Sequence, residues 1–173
     1  MKATGIIRRI DDLGRIVIPK EIRRKLKINE GENIEIYIED EEKIILKKYS
    51  NLKNIKDIAQ KIVDSIYTIL KYNIIITDNS NIIAVSGKYK KELINKEISS
   101  ELLNIIMSRN SIIKKDISIV ENVKIEGNYK INIITVNGDV NGSLILLKED
   151  EIKKEDELII NVNANFLNKY LEE

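Results

Sequence analysis

The first fifty residues are patterned as four short strands and one brief helix, and a segment of this size buries little apolar surface by itself. Domains of about 60 residues or fewer are marginal unless a disulfide, a metal or a second subunit supports them. The sequence contains no Cys and no His, which removes disulfides and the commonest metal ligand. We therefore expect this segment to complete its core by pairing with a second copy of the chain.

A glycine and a proline interrupt the strand pattern of this segment. Gly14 lies in a polar turn and is expected to adopt a positive φ. Pro19 is the only proline, and its fixed φ suits the first position of a short helix. Isoleucine alternates or mixes with charged residues on either side of these two positions. The predicted strands are residues 6–10, 15–18, 34–39 and 43–48.

Basic residues are concentrated at the N-terminal end of the chain. Residues 1–28 contain nine Lys or Arg against three acidic residues, a net charge of +6. Residues 29–50 contain three Lys against seven acidic residues, a net charge of −4, and the whole chain nets only +1. A cationic surface confined to one small segment indicates a polyanionic partner, most simply DNA.

Residues 52–72 change to a helical period. Apolar residues recur at alternating spacings of three and four, as at the a and d positions of a coiled coil. These residues are Leu52, Ile55, Ala59, Ile62, Ile66 and Ile69. Two readings stay open: an amphipathic helix that packs on its own domain, or a helix that pairs protomers and joins two domains.

The rest of the sequence predicts a mixed α+β domain, so that the whole chain is α+β with two domains. The predicted boundaries are residues 1–50, a connecting helix at 51–72, and residues 73–173. Strands are predicted at 74–77, 82–86, 118–124, 130–136 and 143–147, and helices at 98–108 and 155–170. Turns are expected at Asn137-Gly138 and Asn141-Gly142, both strong turn dipeptides.

The sequence offers little for catalysis. Without His or Cys an enzyme would need paired carboxylates or a lysine, and Asp78, Asp116 and Asp139 form no recognisable motif. The scattered glycines form no phosphate-binding loop. No apolar run approaches the roughly 18 residues that a membrane span needs. We expect a cytoplasmic binding protein rather than an enzyme, without a cofactor, a metal or a membrane partner.

Two stretches of the N-terminal segment carry a specific pattern, KATGIIRRIDDLGRIVIPKEIRR at 2–24 and KIILKKY at 43–49. In both stretches the segment resembles the AbrB family of bacterial transition-state regulators, whose module ends like the second stretch. The α+β extension is similar to the GAF-like domain that follows this module in sporulation members of the family. The resemblance implies a swapped-hairpin β-barrel formed by two chains, and C-terminal domains that pair to give a homotetramer.

The resemblance also assigns DNA contact to the family's basic positions. In this chain they are Lys2, Arg8, Arg9, Arg15, Arg23 and Arg24. The planar fork of arginine can pair with a phosphate or with the acceptor edge of guanine. Gly14 and Pro19 are assigned structural roles. Asp11 or Asp12 is expected to order the loop or Arg15, because a carboxylate that faces a phosphate would be repelled.

The implied function is transcriptional activation and repression of sporulation genes, in the cytoplasm of the developing spore. The implied partner is double-stranded DNA, read loosely and with a preference for deformable AT-rich sequence. The C-terminal domain either senses an unknown small molecule or only oligomerises the protein. The alternatives are a structural nucleoid-type protein without signalling and an antitoxin-like protein. Residues 73–173 argue against the antitoxin, because their apolar content is that of a folded domain and not of a disordered toxin-binding tail.

Overall fold

The computed structural model describes residues 5–26, 28, 30–31, 33–40, 43–48 and 55–172. The chain forms two compact units, Met1–Tyr49 and Ser50–Glu173. Lys2 and Leu52, named above, lie outside the described residues.

The described part of the N-terminal unit forms a short helix and an antiparallel hairpin. The helix is α1 (Lys20–Lys25), and the hairpin joins β1 (Ile34–Glu39) to β2 (Lys43–Lys48). Both strands lie where the alternation predicts them, so this part of the expectation is confirmed.

One face of the hairpin is apolar and uncovered. Ile36 is opposite Leu46 and Ile38 is opposite Ile44. Because side chains alternate between the faces of a strand, these four residues share a face. The side chain of Ile38 is 79% exposed, so the described part of this unit does not cover that face.

The strands predicted at 6–10 and 15–18 are absent, and the prediction was wrong for a single chain. From Gly5 to Pro19, all of which the structure describes, no residue is in a strand. A strand needs a hydrogen-bonded neighbour, and the described residues of one chain give this segment none. Ile7 in this segment is 90% exposed.

The C-terminal unit is built on a five-stranded antiparallel sheet with the order β4-β3-β9-β8-β5. Its strands are β3 (Asn73–Asp78), β4 (Ile82–Ser86), β5 (Ile112–Lys115), β8 (Asn128–Val136) and β9 (Asp139–Lys148). A separate small hairpin pairs β6 (Ser118–Val120) with β7 (Val123–Lys124). The helices are α2 (Lys56–Leu70), α3 (Lys90–Leu93), α4 (Ser100–Met107) and α5 (Lys154–Glu172).

Helices cover both faces of this sheet. Ile74 and Ile76 pack into a core that includes residues of α2 and α5. Ile75 points the other way, into a core with residues of α3 and α4 and of the small hairpin. The strands β3 and β9 are therefore buried on both sides at residues 74–76 and 144–147, which explains why these stretches are continuous apolar runs rather than alternating ones.

The helix α2 packs against the sheet of its own unit. Ala59, Val63 and Ile66 are buried in that contact, whereas Ile69 is exposed. Of the two readings of residues 52–72, the structure supports the amphipathic helix that packs on its own domain. The a/d pattern missed Val63, because a helix on a sheet buries a wider stripe than a coiled-coil seam does.

Of the two turns predicted from Asn-Gly dipeptides, one is present and the other is not. Asn137-Gly138 forms the β8–β9 turn with φ of +50° and +83°, as a two-residue hairpin turn requires. Asn141-Gly142 is not a turn but lies inside β9. Gly142 has φ +155°, and a Cβ there would collide with the carbonyl oxygen of Thr77 on the neighbouring strand. A glycine at this position therefore allows β9 to approach the neighbouring strand β3 closely.

The predicted strand at 118–124 is split in two. Asn122 has φ +62° and folds the segment back on itself as the β6–β7 hairpin. The elements β5 and α3 had no prediction, since each has only four residues. In the part of the chain that the structure describes, no helix is long and apolar enough to cross a membrane.

Candidate nucleic-acid interface

The loop that precedes α1 is a tight turn closed by backbone bonds. Gly14 N–H donates to the carbonyl of Asp11 at 3.0 Å, and Asp11 N–H donates to the carbonyl of Arg15 at 3.1 Å. Gly14 has φ +76°, which confirms the positive φ expected there and explains the need for a residue without a Cβ.

The carboxylate of Asp11 organises this turn and the arginine that follows it. Its Oδ1 accepts from the backbone N–H groups of Leu13 at 3.1 Å and Arg15 at 2.7 Å. Its Oδ2 accepts from Nε of Arg15 at 2.7 Å. The hydrogen bonds from the Arg15 backbone and then from its side chain lower the pKa of the Asp11 carboxyl, so it stays ionised at neutral pH. The sequence left the choice between Asp11 and Asp12 open, and the structure selects Asp11.

Pro19 and α1 place the second group of basic side chains. Pro19 is buried and stands at the N-cap, one position earlier than predicted; its carbonyl accepts from Arg23 N–H at 3.0 Å. Arg23, Arg24 and Lys25 occupy the last turn of α1. Cations at a helix C-terminus interact favourably with the helix dipole.

Five of the six predicted DNA contacts are among the described residues, and they lie on three local elements. Arg8 and Arg9 are exposed on the segment before the loop. Arg15 is tied to the loop by Asp11, and Arg23 and Arg24 lie on α1. Lysines 20 and 25 are also exposed on this helix; the sequence signal for them was their place in the same basic run.

The N-terminal unit also exposes many large apolar side chains in its described part. They are Ile6, Ile7, Ile10, Leu13, Ile16, Val17, Leu26, Ile36, Ile38, Ile44 and Leu46. Monomeric soluble proteins rarely leave so much apolar surface in contact with water. Exposed apolar surface on this scale is typical of a protein–protein interface.

Two further features of the C-terminal unit involve the helices α2 and α5. A cavity of about 170 Å³ lies between α2 and α5, lined by Ser65, Ile66, Ile69, Leu70, Ile159 and Asn163. Four apolar residues spaced every four positions form an exposed stripe on α5: Leu158, Val162, Phe166 and Tyr170. Among the described residues no group of acidic side chains could hold a metal ion.

Two family models match separate parts of the chain. Residues 54–172 match the model described as stage V sporulation protein T C-terminal, transcription factor. Residues 7–54 match the model described as antidote-toxin recognition MazE, bacterial antitoxin.

Relatives match at the level of the whole chain and of the N-terminal module. Stage V sporulation protein T of Bacillus subtilis (strain 168) is 40% identical over 178 residues, which covers 100% of both chains. The transition state regulatory protein AbrB of the same organism is 63% identical over 49 residues, which covers 28% of this chain and 50% of the relative.

A solved structure supports the fold of the C-terminal unit. The A. aeolicus nlh2 GAF domain, solved in an inactive state, has a TM-score of 0.51 at 16% identity and covers 73% of this chain and 87% of its own. The chain is α+β, with an AbrB-like N-terminal unit and a GAF-like C-terminal unit. Full-length similarity and the family model that spans most of the chain lead to one conclusion: the chain belongs to the stage V sporulation protein T family of transcription factors.

Proposed function

We propose that the protein regulates transcription by binding double-stranded DNA through its N-terminal unit. The observation that carries the proposal is the ordered loop in which Asp11 holds an exposed Arg15. This loop lies inside the module that is 63% identical to AbrB, a transition state regulatory protein. Lys2, Arg8, Arg9, Arg15, Arg23 and Arg24 are the proposed contacts.

These contacts read phosphate position and groove shape more than a base code. Five of the six are arginines, and arginine can fork to phosphate or to guanine. No Asn or Gln stands among the six to read adenine. We propose a sequence-tolerant site with a preference for AT-rich duplexes, which deform at low cost.

The DNA-binding form is proposed to be a dimer in which two N-terminal units interleave as a swapped-hairpin barrel. The apolar face of the β1–β2 hairpin and the unpaired segment from Gly5 to Pro19 support this arrangement. A second chain would supply the missing strand neighbours and would cover side chains such as Ile7 and Ile38. Two-fold symmetry would also present two basic surfaces to one duplex.

The C-terminal unit is proposed to pair dimers into a homotetramer. The exposed stripe of Leu158, Val162, Phe166 and Tyr170 on α5 supports this role. Two linked DNA-binding heads gain avidity through effective concentration, by about 10²- to 10⁴-fold when both can engage. We also propose that the C-terminal unit senses a small molecule. The genes that the protein activates or represses are proposed to be sporulation genes in the developing spore.

The antitoxin reading has one observation in its favour, the match of residues 7–54 to the MazE model. That model covers the DNA-binding module and not the rest of the chain. Residues 56–172 form a folded unit with two buried cores, which leaves no free tail of the toxin-binding kind in the described part of that unit. The regulator is therefore the better supported of the two.

Fluorescence anisotropy with a labelled AT-rich duplex tests the proposal. We expect the wild type to bind, and Arg15→Ala, Arg23→Ala and Arg24→Ala each to weaken binding about 5- to 100-fold, as loss of a charged contact does. Arg109→Ala is the matched control, because Arg109 lies in the C-terminal unit and bonds the Gly138 carbonyl. Equal losses for Arg109→Ala and Arg15→Ala would contradict a DNA site in the N-terminal unit.

A further inference from the structure

The two oxygens of the Asp11 carboxylate accept hydrogen bonds from different groups. Among the described residues, Oδ1 accepts from two backbone N–H groups, those of Leu13 and Arg15. Oδ2 accepts from Nε of Arg15. One oxygen therefore holds the loop, and the other holds the side chain of the arginine.

The bond to Oδ2 leaves the arginine able to contact DNA. It uses the Nε–H of Arg15 at 2.7 Å, so the four protons on the two terminal nitrogens take no part in it. Those protons form the end of the guanidinium fork that suits a phosphate. Arg15 also remains 71% exposed in its side chain, so the ion pair does not bury the group that would meet the DNA.

Two effects of Asp11 on DNA affinity oppose each other. Its negative charge repels phosphates, which lowers affinity. Its bond to Nε restricts the rotamers of a long side chain before binding, which removes part of the ordering cost that binding would otherwise carry. Repulsion acts through solvent, because Asp11 is exposed, whereas the ordering effect acts through a direct bond of 2.7 Å. Both effects are electrostatic, and both weaken as salt is added.

We propose that Asp11 is a positioning residue that raises DNA affinity by holding Arg15 ready for phosphate, in spite of its own negative charge. The inference rests on the proposed function, since it requires Arg15 to contact DNA. It assigns to an acidic side chain a favourable role in an interface with a polyanion.

The chemistry of asparagine separates the two tasks of the carboxylate. In Asp11→Asn the amide oxygen can still accept from the Leu13 and Arg15 backbone, so the loop is kept. The amide nitrogen in place of Oδ2 cannot accept from Nε–H, so only the tie to the side chain is lost. Asp12→Asn is the matched control, because it removes the same charge from the adjacent position. Among the described residues Arg15 pairs with Asp11 and not with Asp12.

The experiment is a double-mutant cycle on the full chain, read by anisotropy with a labelled AT-rich duplex. Asp11→Asn should weaken binding about 2- to 10-fold in the wild-type background, the cost of ordering one long side chain. In the Arg15→Ala background the same change should leave affinity unchanged or raise it, because only the repulsive charge is then removed. Asp12→Asn should leave affinity unchanged or raise it in both backgrounds. The Leu13 and Arg15 amide signals in a nitrogen–proton spectrum should show that the loop persists in Asp11→Asn.

Two results would overturn the inference while the proposed function stands. In the first, Arg15→Ala weakens binding but Asp11→Asn tightens it, so the carboxylate is merely repulsive. In the second, Asp11→Asn weakens binding equally in both backgrounds, so its effect does not pass through Arg15. Absence of DNA binding by the wild type would instead overturn the proposed function, and the inference with it.

Discussion

Gly138 and Gly142 are both glycines at positive φ in the β8–β9 region, but they meet different surroundings. A Cβ on Gly138 would point into open space, whereas a Cβ on Gly142 would meet the backbone of Thr77 and Asp78 on β3. The first glycine serves only the turn. The second allows β9 to approach β3 closely, and no side chain can fit between them.

Alanine at these two positions should therefore have unequal costs. Gly142→Ala should lower the free energy of unfolding by about 2–4 kcal/mol, because the strand must shift as well as accept an unfavourable φ. Gly138→Ala should cost about 1 kcal/mol, the left-handed penalty alone. Urea denaturation of both variants measures the difference. Equal costs would mean that β9 can move away from β3 without loss.

At the scale of elements, a buried ion pair fastens the start of α5 to the end of β9. Lys148 Nζ lies 3.0 Å from Asp156 Oδ2, with side-chain exposures of 3% and 7%. The same ammonium is 3.2 Å from the Tyr72 hydroxyl, and Asp156 Oδ2 also accepts from Lys153 N–H at 2.9 Å. Burial by itself lowers the pKa of Lys148, but the bonds to Asp156 and Tyr72 outweigh it and raise that pKa.

Loss of one partner should leave an uncompensated buried charge. Asp156→Asn should lower the free energy of unfolding by about 3 kcal/mol, in the range measured when buried pairs are broken. Glu149→Gln is the control, because it breaks the exposed pair with Lys88 at 2.7 Å, and it should have a much smaller effect. Chemical denaturation measures both variants, and a negligible effect of Asp156→Asn would contradict this account of α5.

The pH dependence of the same pair has a definite sign. Because the folded-state pKa of Lys148 is raised, the stability contributed by its charge is fully present below its unfolded pKa of about 10.4. That contribution is lost as the pH rises through the folded-state pKa. Unfolding free energies between pH 9 and 11.5 should fall less steeply in Lys148→Met than in the wild type. An equal fall would mean that other groups carry the alkaline loss.

The elements show how far the sequence alone could predict the fold. Strands with a partner in the same chain, such as β1 and β2, follow from alternation. The segment from Gly5 to Pro19 has the same pattern but no strand, because pairing depends on a surface that the sequence of one chain does not locate. The turn predicted at Asn141-Gly142 was wrong, because glycine suits a turn and also allows two neighbouring strands to approach closely. The dipeptide alone does not distinguish these two uses. The sequence left two candidates, Asp11 and Asp12, for the residue that orders the loop or Arg15.

At the scale of the whole molecule, the stripe on α5 is exposed in the described part of the C-terminal unit. Leu158 is 64% exposed, and the rings of Phe166 and Tyr170 stack with centroids 6.0 Å apart. Aromatic side chains of this kind dominate the energetics of protein interfaces. The stripe is therefore the surface on which the proposed tetramer depends.

A charge in the middle of that stripe should reduce the assembly to dimers. Val162→Glu should change the mass measured by light scattering from four chains to two, because a buried unpaired carboxylate is costly at an interface. Asn165→Glu is the matched control on an exposed position of the same helix and should leave the mass unchanged. Tetramers in both variants would exclude this face from the interface.

The salt dependence of DNA affinity shows whether the N-terminal arginines bind DNA phosphates. Affinity for an AT-rich duplex should be measured from about 50 to 200 mM salt, where log affinity should fall linearly with a slope of about −0.9 per phosphate contact. In Arg15→Ala the slope should become shallower by about 2, one contact for each subunit of a dimer. An unchanged slope in Arg15→Ala, or no binding at the lowest salt, would contradict the account.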